Sequence, residues 1–297
     1  MLPLSVEEAI RGIAEDRTSG ASKLARLALE VMGLAIMDAK GRPEPRDLAE
    51  AARRISQAQP AMAIVHNVAH LVSQLIAEGQ DPKAVLETTR QELDAAREKI
   101  ARTFLKVAPD RGAVVTLSYS ENVLDALRTA HGKGRVDRVF VMESRPLFEG
   151  RVLAKDLADA GIPVTVVADA LGPSLIAGAA CALVGADAVL RDAAVVNKIG
   201  TYALALAATD AKKPFYVACE SLKLDARYDA ASWPVPGPRP SDEVWDGRGD
   251  RIDALNRYFE ITPGRLVTTT VTERGTYTPD VLRTMLAQAR PSRSAAR

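Results

Sequence analysis

Cysteine is nearly absent from this chain of 297 residues, which holds only Cys181 and Cys219. Two thiols so far apart form neither a disulfide framework nor a metal-ligand spacing, which points to a reducing cytosolic setting. An excess of one charge is missing too, since 39 basic residues face 38 acidic ones for a net +1. That balance gives no global field toward nucleic acid or an anionic membrane, although a local basic groove stays open. Long apolar runs are lacking as well. Glu7, Glu8, Arg11, Glu15 and Asp16 interrupt the first residues, so no secretory leader is expected. The most weakly polar window, Ser174 to Leu190, carries Asp187 and falls short of a membrane span. No internal repeat or low-complexity block stands out. His66 and His70 would share a helix face, but no third ligand accompanies them, so neither a metal nor another cofactor is expected. The expectation is a cytoplasmic protein with no membrane and no direct nucleic-acid partner.

What is present suits an α/β protein: an N-terminal all-helical domain over 1–107, then a Rossmann-like domain with a mainly parallel sheet over 108–297. In the first part Leu24, Leu27, Ala28, Val31 and Met32, then Met62, Val65, Val68, Ala69 and Val72, recur at helical spacing. Turn signals at Lys40 to Pro45 and Gly79 to Pro82 separate the helices, the last of which runs from Asp81 to Phe104. Beyond Gly112 short β-rich runs alternate with helical stretches, as βαβ units require. The runs are Ala113 to Leu117, Arg138 to Met142, Pro163 to Val167, Ala182 to Val184, Pro214 to Ala218 and Arg265 to Thr270. Trp233 to Pro240 (WPVPGPRP) predicts an ordered loop, because proline cannot sit in an inner strand. The tail from Pro291 to Arg297 reads as frayed.

Chemistry concentrates in Val184 to Thr201, VGADAVLRDAAVVNKIGT. Asp187 follows small and apolar residues of the kind that carry a buried parallel strand to its carboxyl end, where open α/β sheets bind ligands. Asn197 and Lys198 precede Gly200 and an Ala/Leu-rich helical pattern, and a helix start beside a lysine is an anion site. The bland alternative is an aspartate capping a turn and a solvated lysine. Arg145, after the strand-like VFVM, could clamp a phosphate or carboxylate, or could pair with Glu143 or Glu149 to stiffen a loop. Ser120 reads as a helix N-cap rather than a nucleophile, because no histidine is near and no G-x-S-x-G elbow exists. Gly20, in Ser19-Gly20-Ala21, could admit a ligand or a neighbouring helix close to the backbone.

Taken in order, TLSYSENVLDAL, VMESRPLFEGRVLAKDLADAGIPVTVVAD, VGADAVLRDAAVVNKIGTYALALAA, KPFYVACESLK and FEITPGRLVTTTVTERG resemble one superfamily. It joins the alpha, beta and delta subunits of translation initiation factor 2B with methylthioribose-1-phosphate isomerase and ribose-1,5-bisphosphate isomerase. The resemblance implies dimers through the second domain, with larger rings. For the isomerases it implies aldose-to-ketose conversion by a Cys and an Asp acting as acid and base. The aspartate falls on Asp187, the substrate-binding Asn-Lys pair on Asn197 and Lys198, and the ESRP turn on Glu143 to Pro146. The place of the catalytic thiol falls on Ser118, a hydroxyl that titrates far higher and is a poorer proton donor or nucleophile near neutral pH. The isomerases' Arg-Gly-Ala turn is Ser19-Gly20-Ala21 here, with Arg17 displaced by two positions, and their Arg-Pro-Thr is Gln59-Pro60-Ala61. Each lost guanidinium clamp removes charge-assisted bonds worth about 1.5 to 3 kcal/mol. Thr116-x-x-Tyr119-Ser120 and Gln59-Pro60-x-Met62 are of the initiation-factor type, without the long charged extension of the larger regulatory subunits.

The resemblance thus implies an initiation factor 2B alpha-like protein that binds a small phosphorylated sugar or nucleotide. It would be a homodimer or higher homo-oligomer, acting as an isomerase on a ribose-1-phosphate-type substrate. The alternative is a non-catalytic regulatory or scaffold subunit. The candidate catalytic residues are Asp187 and Ser118, and the candidate binding residues Arg17, Gly20, Arg145, Asn197 and Lys198.

Overall fold

A computed structural model describes residues 2–16, 20–41, 43–247 and 251–288. Arg17 and Ser19, together with the tail from Pro291, lie outside the described residues. Two compact units emerge, Met1–Ala96 with Leu222–Asp225, and Arg97–Ser221 with Ala226–Arg297.

The first unit is built from α1 (Leu4–Glu15), α2 (Ala21–Asp38), α3 (Pro45–Ala58), α4 (Ala63–Ala77) and the start of α5 (Pro82–Val107). Leu24, Met32, Leu48, Ile55, Ile64 and Val68 are almost wholly buried in its core. The turn signals work as their chemistry dictates. Lys40 and Gly79 take positive φ, and the N–H groups of Gly41 and Gln80 return to the carbonyls of Ile36 and Leu75, closing α2 and α4. Asp81 starts α5 by accepting the Ala84 N–H at 2.8 Å. The short strand β8 (Leu224–Asp225) also belongs here, and Asn67 donates to the carbonyls of Leu222 and Leu224 at 2.7 and 3.0 Å.

The second unit centres on a seven-stranded sheet, whose strands are β1 (Gly112–Leu117), β2 (Val136–Met142), β3 (Val164–Val167), β4 (Cys181–Val184), β7 (Phe215–Ala218), β10 (Thr269–Thr272) and β11 (Gly275–Tyr277). Their spatial order is β11-β10-β7-β4-β1-β2-β3, parallel throughout except for the β10–β11 hairpin. From β1 the chain steps outward to β2 and β3, then returns to the other side of β1 as β4. The order therefore reverses between β1 and β4, where doubly wound sheets open a crevice at their carboxyl ends. Helices α6 (Glu121–Gly132), α7 (Glu149–Asp159), α8 (Gly172–Leu175), α9 (Thr201–Asp210) and α10 (Pro279–Gln288) punctuate the sheet. The C-terminal part of α5 packs on it, with Phe104 edge-on to Tyr216 at 5.6 Å and the Tyr216 hydroxyl donating to the Val107 carbonyl.

Two expectations need correction. Asn197 and Lys198 precede helix α9, which Gly200 caps as expected, but they end a strand absent from the expected runs, β6 (Val195–Lys198), which pairs antiparallel with β5 (Ala188–Leu190) and β9 (Phe259–Thr262). A tight turn at Asp192-Ala193, with Ala193 at φ 64° and the Asp192 side chain accepting the Ala194 N–H, folds the chain back so that Val195 and Val196 can extend. The run from Arg265 to Thr270 is not one strand either. Gly264–Leu266 forms a 3-10 turn and β10 begins at Thr269. Gly264 lies so close to the Ala193 carbonyl that a Cβ would sit 2.6 Å from its oxygen. WPVPGPRP holds no helix or strand and is tied down by Asn256, whose C=O accepts from Arg239 N–H and whose side chain donates to the Pro240 carbonyl.

Candidate functional site

The carboxyl ends of β1, β2 and β3 are stitched together by short polar side chains. Ser118 leaves β1 with φ 63°, and its N–H donates to Ser144 Oγ at 2.7 Å. Ser144, also left-handed at φ 66°, donates its hydroxyl to the Met142 carbonyl at 3.0 Å. Beyond β3, Asp169 accepts the N–H groups of Ser144 and Arg145, one on each carboxylate oxygen, at 2.7 and 2.8 Å. On the other side of β1, Gly185 abuts Ser120 with no room for a side chain, since a Cβ would come within 2.9 Å. Ser120 is the N-cap of α6, its Oγ accepting the Val123 N–H.

Asp187 stands three residues past the end of β4, half-buried, with its N–H donating to the Val196 carbonyl at 2.9 Å. That bond sets its backbone beside Asn197. The Asn197 side chain is buried and donates to Thr201 Oγ1 at 3.0 Å. Lys198 is only 3% exposed. Its ammonium is 2.8 Å from Glu149 Oε1, at the start of α7, and 5.0 Å from the centre of the Tyr258 ring. Tyr258 in turn donates its hydroxyl to Glu243 at 2.6 Å, and burial together with that carboxylate pushes its phenol up to about 12.

Arg145 is exposed, and it does not pair with Glu143 or Glu149. Its guanidinium donates to the Glu243 carbonyl at 3.0 Å and lies 5.1 Å from the Phe148 ring, while Glu143 is held by Arg151. The start of α9 differs from the free anion site that the sequence suggests. The Glu260 carboxylate occupies it, accepting the backbone N–H groups of Gly200, Thr201 and Tyr202, the last at 2.8 Å. Burial raises the Glu260 pKa despite those bonds, which act to lower it. A strand-borne carboxylate has already satisfied the helix end that a ligand phosphate would use. In the first unit Gly20 is the N-cap of α2, with nothing within 4 Å of a Cβ placed there, so no close approach explains it. Gln59, where the isomerases are expected to carry an arginine, spans the carbonyls of Ile13 and Asp16 at 2.9 and 3.2 Å.

The sequence gives Glu149 only as a possible partner of Arg145 and Ser144 only as part of the ESRP turn, and it gives no role to Asp169, Glu243 and Tyr258. For Glu149 and Ser144 a signal existed: both sit in or next to the ESRP turn, ahead of a glycine, and Gly150 is wedged against the Met142 carbonyl. Asp169, Glu243 and Tyr258 carried none, since each acts through a partner more than a dozen residues away.

Of the two cysteines, Cys181 opens β4 at the edge opposite these strand ends, while Cys219 follows the carboxyl end of β7 in the same parallel sheet. Both are fully buried, Cys181 within β4 and Cys219 just after β7, and burial pushes the Cys181 thiol up to about 12. Both are expected to resist a disulfide reagent in the native protein and to react fully once it is unfolded, as a thiol titration with and without denaturant checks. His66 and His70 stack at 4.1 Å, with His66 Nδ1 3.0 Å from Ser56 Oγ. Among the described residues no helix is long and apolar enough to cross a membrane.

Comparison with known proteins adds to this geometry. Residues 17–279 match the model of the initiation factor 2 subunit family. A putative translation initiation factor eIF-2B subunit 2-like protein of Pyrococcus furiosus is 30% identical over 279 residues, covering 94% of this chain and 98% of its own. Methylthioribose-1-phosphate isomerase of Anaeromyxobacter dehalogenans is 34% identical, covering 92% and 85%. The solved structure of translation initiation factor eIF-2B from Pyrococcus horikoshii OT3 superposes with a TM-score of 0.79 at 28% identity, covering 94% of this chain and 100% of that one.

Proposed function

Because the chain belongs to the initiation factor 2 subunit family, we propose that it binds a small phosphorylated sugar or nucleotide at the carboxyl ends of β1, β2 and β4. The observation that carries this reading is Lys198, an ammonium 3% exposed at the end of a strand, next to Asn197 and close in sequence to the backbone that pins Asp187. Glu149, 2.8 Å from that ammonium, opens α7 after β2, so Lys198 lies by the carboxyl ends of the parallel sheet, where α/β proteins place ligands. The protein would act in the cytoplasm as a homodimer or larger homo-oligomer.

In the enzymatic form the reaction is aldose-to-ketose isomerisation of a ribose-1-phosphate-type substrate. Asp187 moves a proton between adjacent carbons, while Lys198, Asn197 and Arg145 hold the phosphate or hydroxyls. Ser118 or a water stands where a thiol would otherwise donate. A second reading, a regulatory subunit without chemistry, is favoured by one observation: both thiols are buried, and Ser118 stands where the resemblance expects the catalytic thiol.

Incubating the protein with ribose 1-phosphate, with calorimetry in parallel, separates the readings. Ketose formation that falls at least a thousandfold in Asp187→Asn supports the isomerase. Binding without turnover, unchanged in Asp187→Asn, supports the regulatory subunit. Neither binding nor turnover for any pentose phosphate removes the proposal.

A further inference from the structure

The last main-chain rung between β2 and β3 is the Glu143 N–H donating to the Val167 carbonyl at 2.9 Å. Past it a side chain takes over. Asp169 receives the next two N–H groups, those of Ser144 and Arg145, one on each carboxylate oxygen, at 2.7 and 2.8 Å. Only a carboxylate presents an acceptor at both places, since an amide there would turn its own N–H groups toward one of the donors. Ser144 is 1% exposed and stands at φ 66°, and Ser118 stands at φ 63°. Serine takes this left-handed conformation only where its surroundings impose it. The single hydroxyl hydrogen of Ser144 goes to the Met142 carbonyl at 3.0 Å, which leaves an oxygen lone pair for the Ser118 N–H at 2.7 Å. One carboxylate thus fixes the main chain of Ser144, and the side chain of Ser144 fixes the main chain of Ser118.

We infer that Asp169, acting through Ser144, is a positioning residue that holds Ser118 in its left-handed turn and so sets where the Ser118 hydroxyl, or a water on it, meets the substrate. This inference rests on the isomerase reading, in which Ser118 stands in for a thiol. A hydroxyl is a weaker proton donor than a thiol near neutral pH, so its placement matters more. The same carboxylate also holds the N–H of Arg145, whose guanidinium serves the phosphate in that reading. Asp169 therefore stands behind two groups with different duties, one in the proton transfer and one in binding. The path to Ser118 runs through the Ser144 hydroxyl, while the path to Arg145 bypasses it. Removing that hydroxyl and removing the carboxylate's charge are therefore distinguishable in the kinetics.

The test compares the full-length protein with Ser144→Ala and Asp169→Asn, reading turnover of ribose 1-phosphate and hydrogen exchange of the Ser118 amide in protein labelled on serine nitrogen. A thermal melt confirms that the variants fold, and should Asp169→Asn not fold, Ser144→Ala decides alone. In both variants the Ser118 amide is expected to exchange roughly tenfold faster or more, as a local opening. In Ser144→Ala kcat should fall about a hundredfold, the loss that a misplaced reacting group brings, with KM within about twofold of the wild type. In Asp169→Asn the same fall in kcat should be joined by a KM raised about fivefold or more, because Arg145 is released too. A purely structural role would leave kcat of the folded variants unchanged, and that result overturns the inference while turnover by the wild type keeps the isomerase reading. Unchanged exchange at Ser118, or a loss of kcat in Asp169→Asn that Ser144→Ala does not share, overturns it as well. No turnover by the wild type removes the isomerase reading and the inference with it.

Discussion

Gly150→Ala should cripple the second unit. A Cβ on Gly150 would lie 1.9 Å from the Met142 carbonyl oxygen and 3.0 Å from Ser144 Oγ. Neither neighbour can yield cheaply. Met142 is the last residue of β2, paired with Leu117 on one side and Val167 on the other, so its peptide is fixed by two strands. Ser144 carries the bond from Ser118 N–H and sits on Asp169. The remaining way out is to lift the start of α7 off the sheet, which carries Glu149 away from Lys198. Overpacking of this severity costs about 3 kcal/mol or more. For a unit of this size that corresponds to a melting temperature lower by about 6 to 12 °C. Gly132→Ala, at the end of α6 with nothing within 4 Å of the new Cβ, is the control and should melt within a degree or two of the wild type. A Gly150→Ala protein as stable as Gly132→Ala would mean that α7 is not seated as described.

The second large effect is at Lys198. Lys198→Met removes an ammonium that is 3% exposed while leaving the Glu149 carboxylate in place. Breaking a buried pair from one side costs about 3 to 5 kcal/mol when both groups are fully buried. Glu149 is 30% exposed and can draw on solvent, so about 2 kcal/mol is the reasonable expectation. The loss of the ammonium from the Tyr258 ring adds a few tenths to 1 kcal/mol. Adding Glu149→Leu should restore much of this stability, because the uncompensated charge is gone, and the double-mutant cycle should report a coupling of about 1 to 2 kcal/mol by denaturant unfolding. Ligand binding should behave differently. Neither Lys198→Met nor the double variant is expected to bind a sugar phosphate within a hundredfold of the wild type. Restored stability with lost binding separates a ligand-holding pair from a merely structural one. Additive effects on stability would deny that the two side chains act as a unit.

The sequence was legible wherever one residue type dictates local geometry. The β-branched runs at Val114-Val115, Val139 to Val141 and Val164 to Val167 became neighbouring strands, and Lys40-Gly41 and Gly79 closed helices as turn chemistry requires. Ser120 capped its helix. The reading failed where a decision is made at long range. Gly200 and the alanines do open a helix, but nothing local marks Val195 to Lys198 as a strand, which pairing with β9, some sixty residues away, makes it. The same distance hid Glu260, which competes for the helix start that Lys198 seemed to offer a ligand. Asp187 and Asn197 were visible because they end apolar runs. Glu149 was overlooked because a glutamate opening a helix is ordinary, and only the arrival of Lys198 from another sheet makes it unusual.

The bridges through Ser144 and Asp169 have a thermodynamic consequence. Loops at strand ends are commonly the mobile part of an α/β protein, and immobilising them on association forfeits chain entropy. Here the segments after β1 and β2 are already clamped to one another and to the residue beyond β3 by three hydrogen bonds of 2.7 to 2.8 Å. The floor beneath any visiting molecule is preorganised, so the free energy of its contacts goes into affinity rather than into ordering the loops that make them.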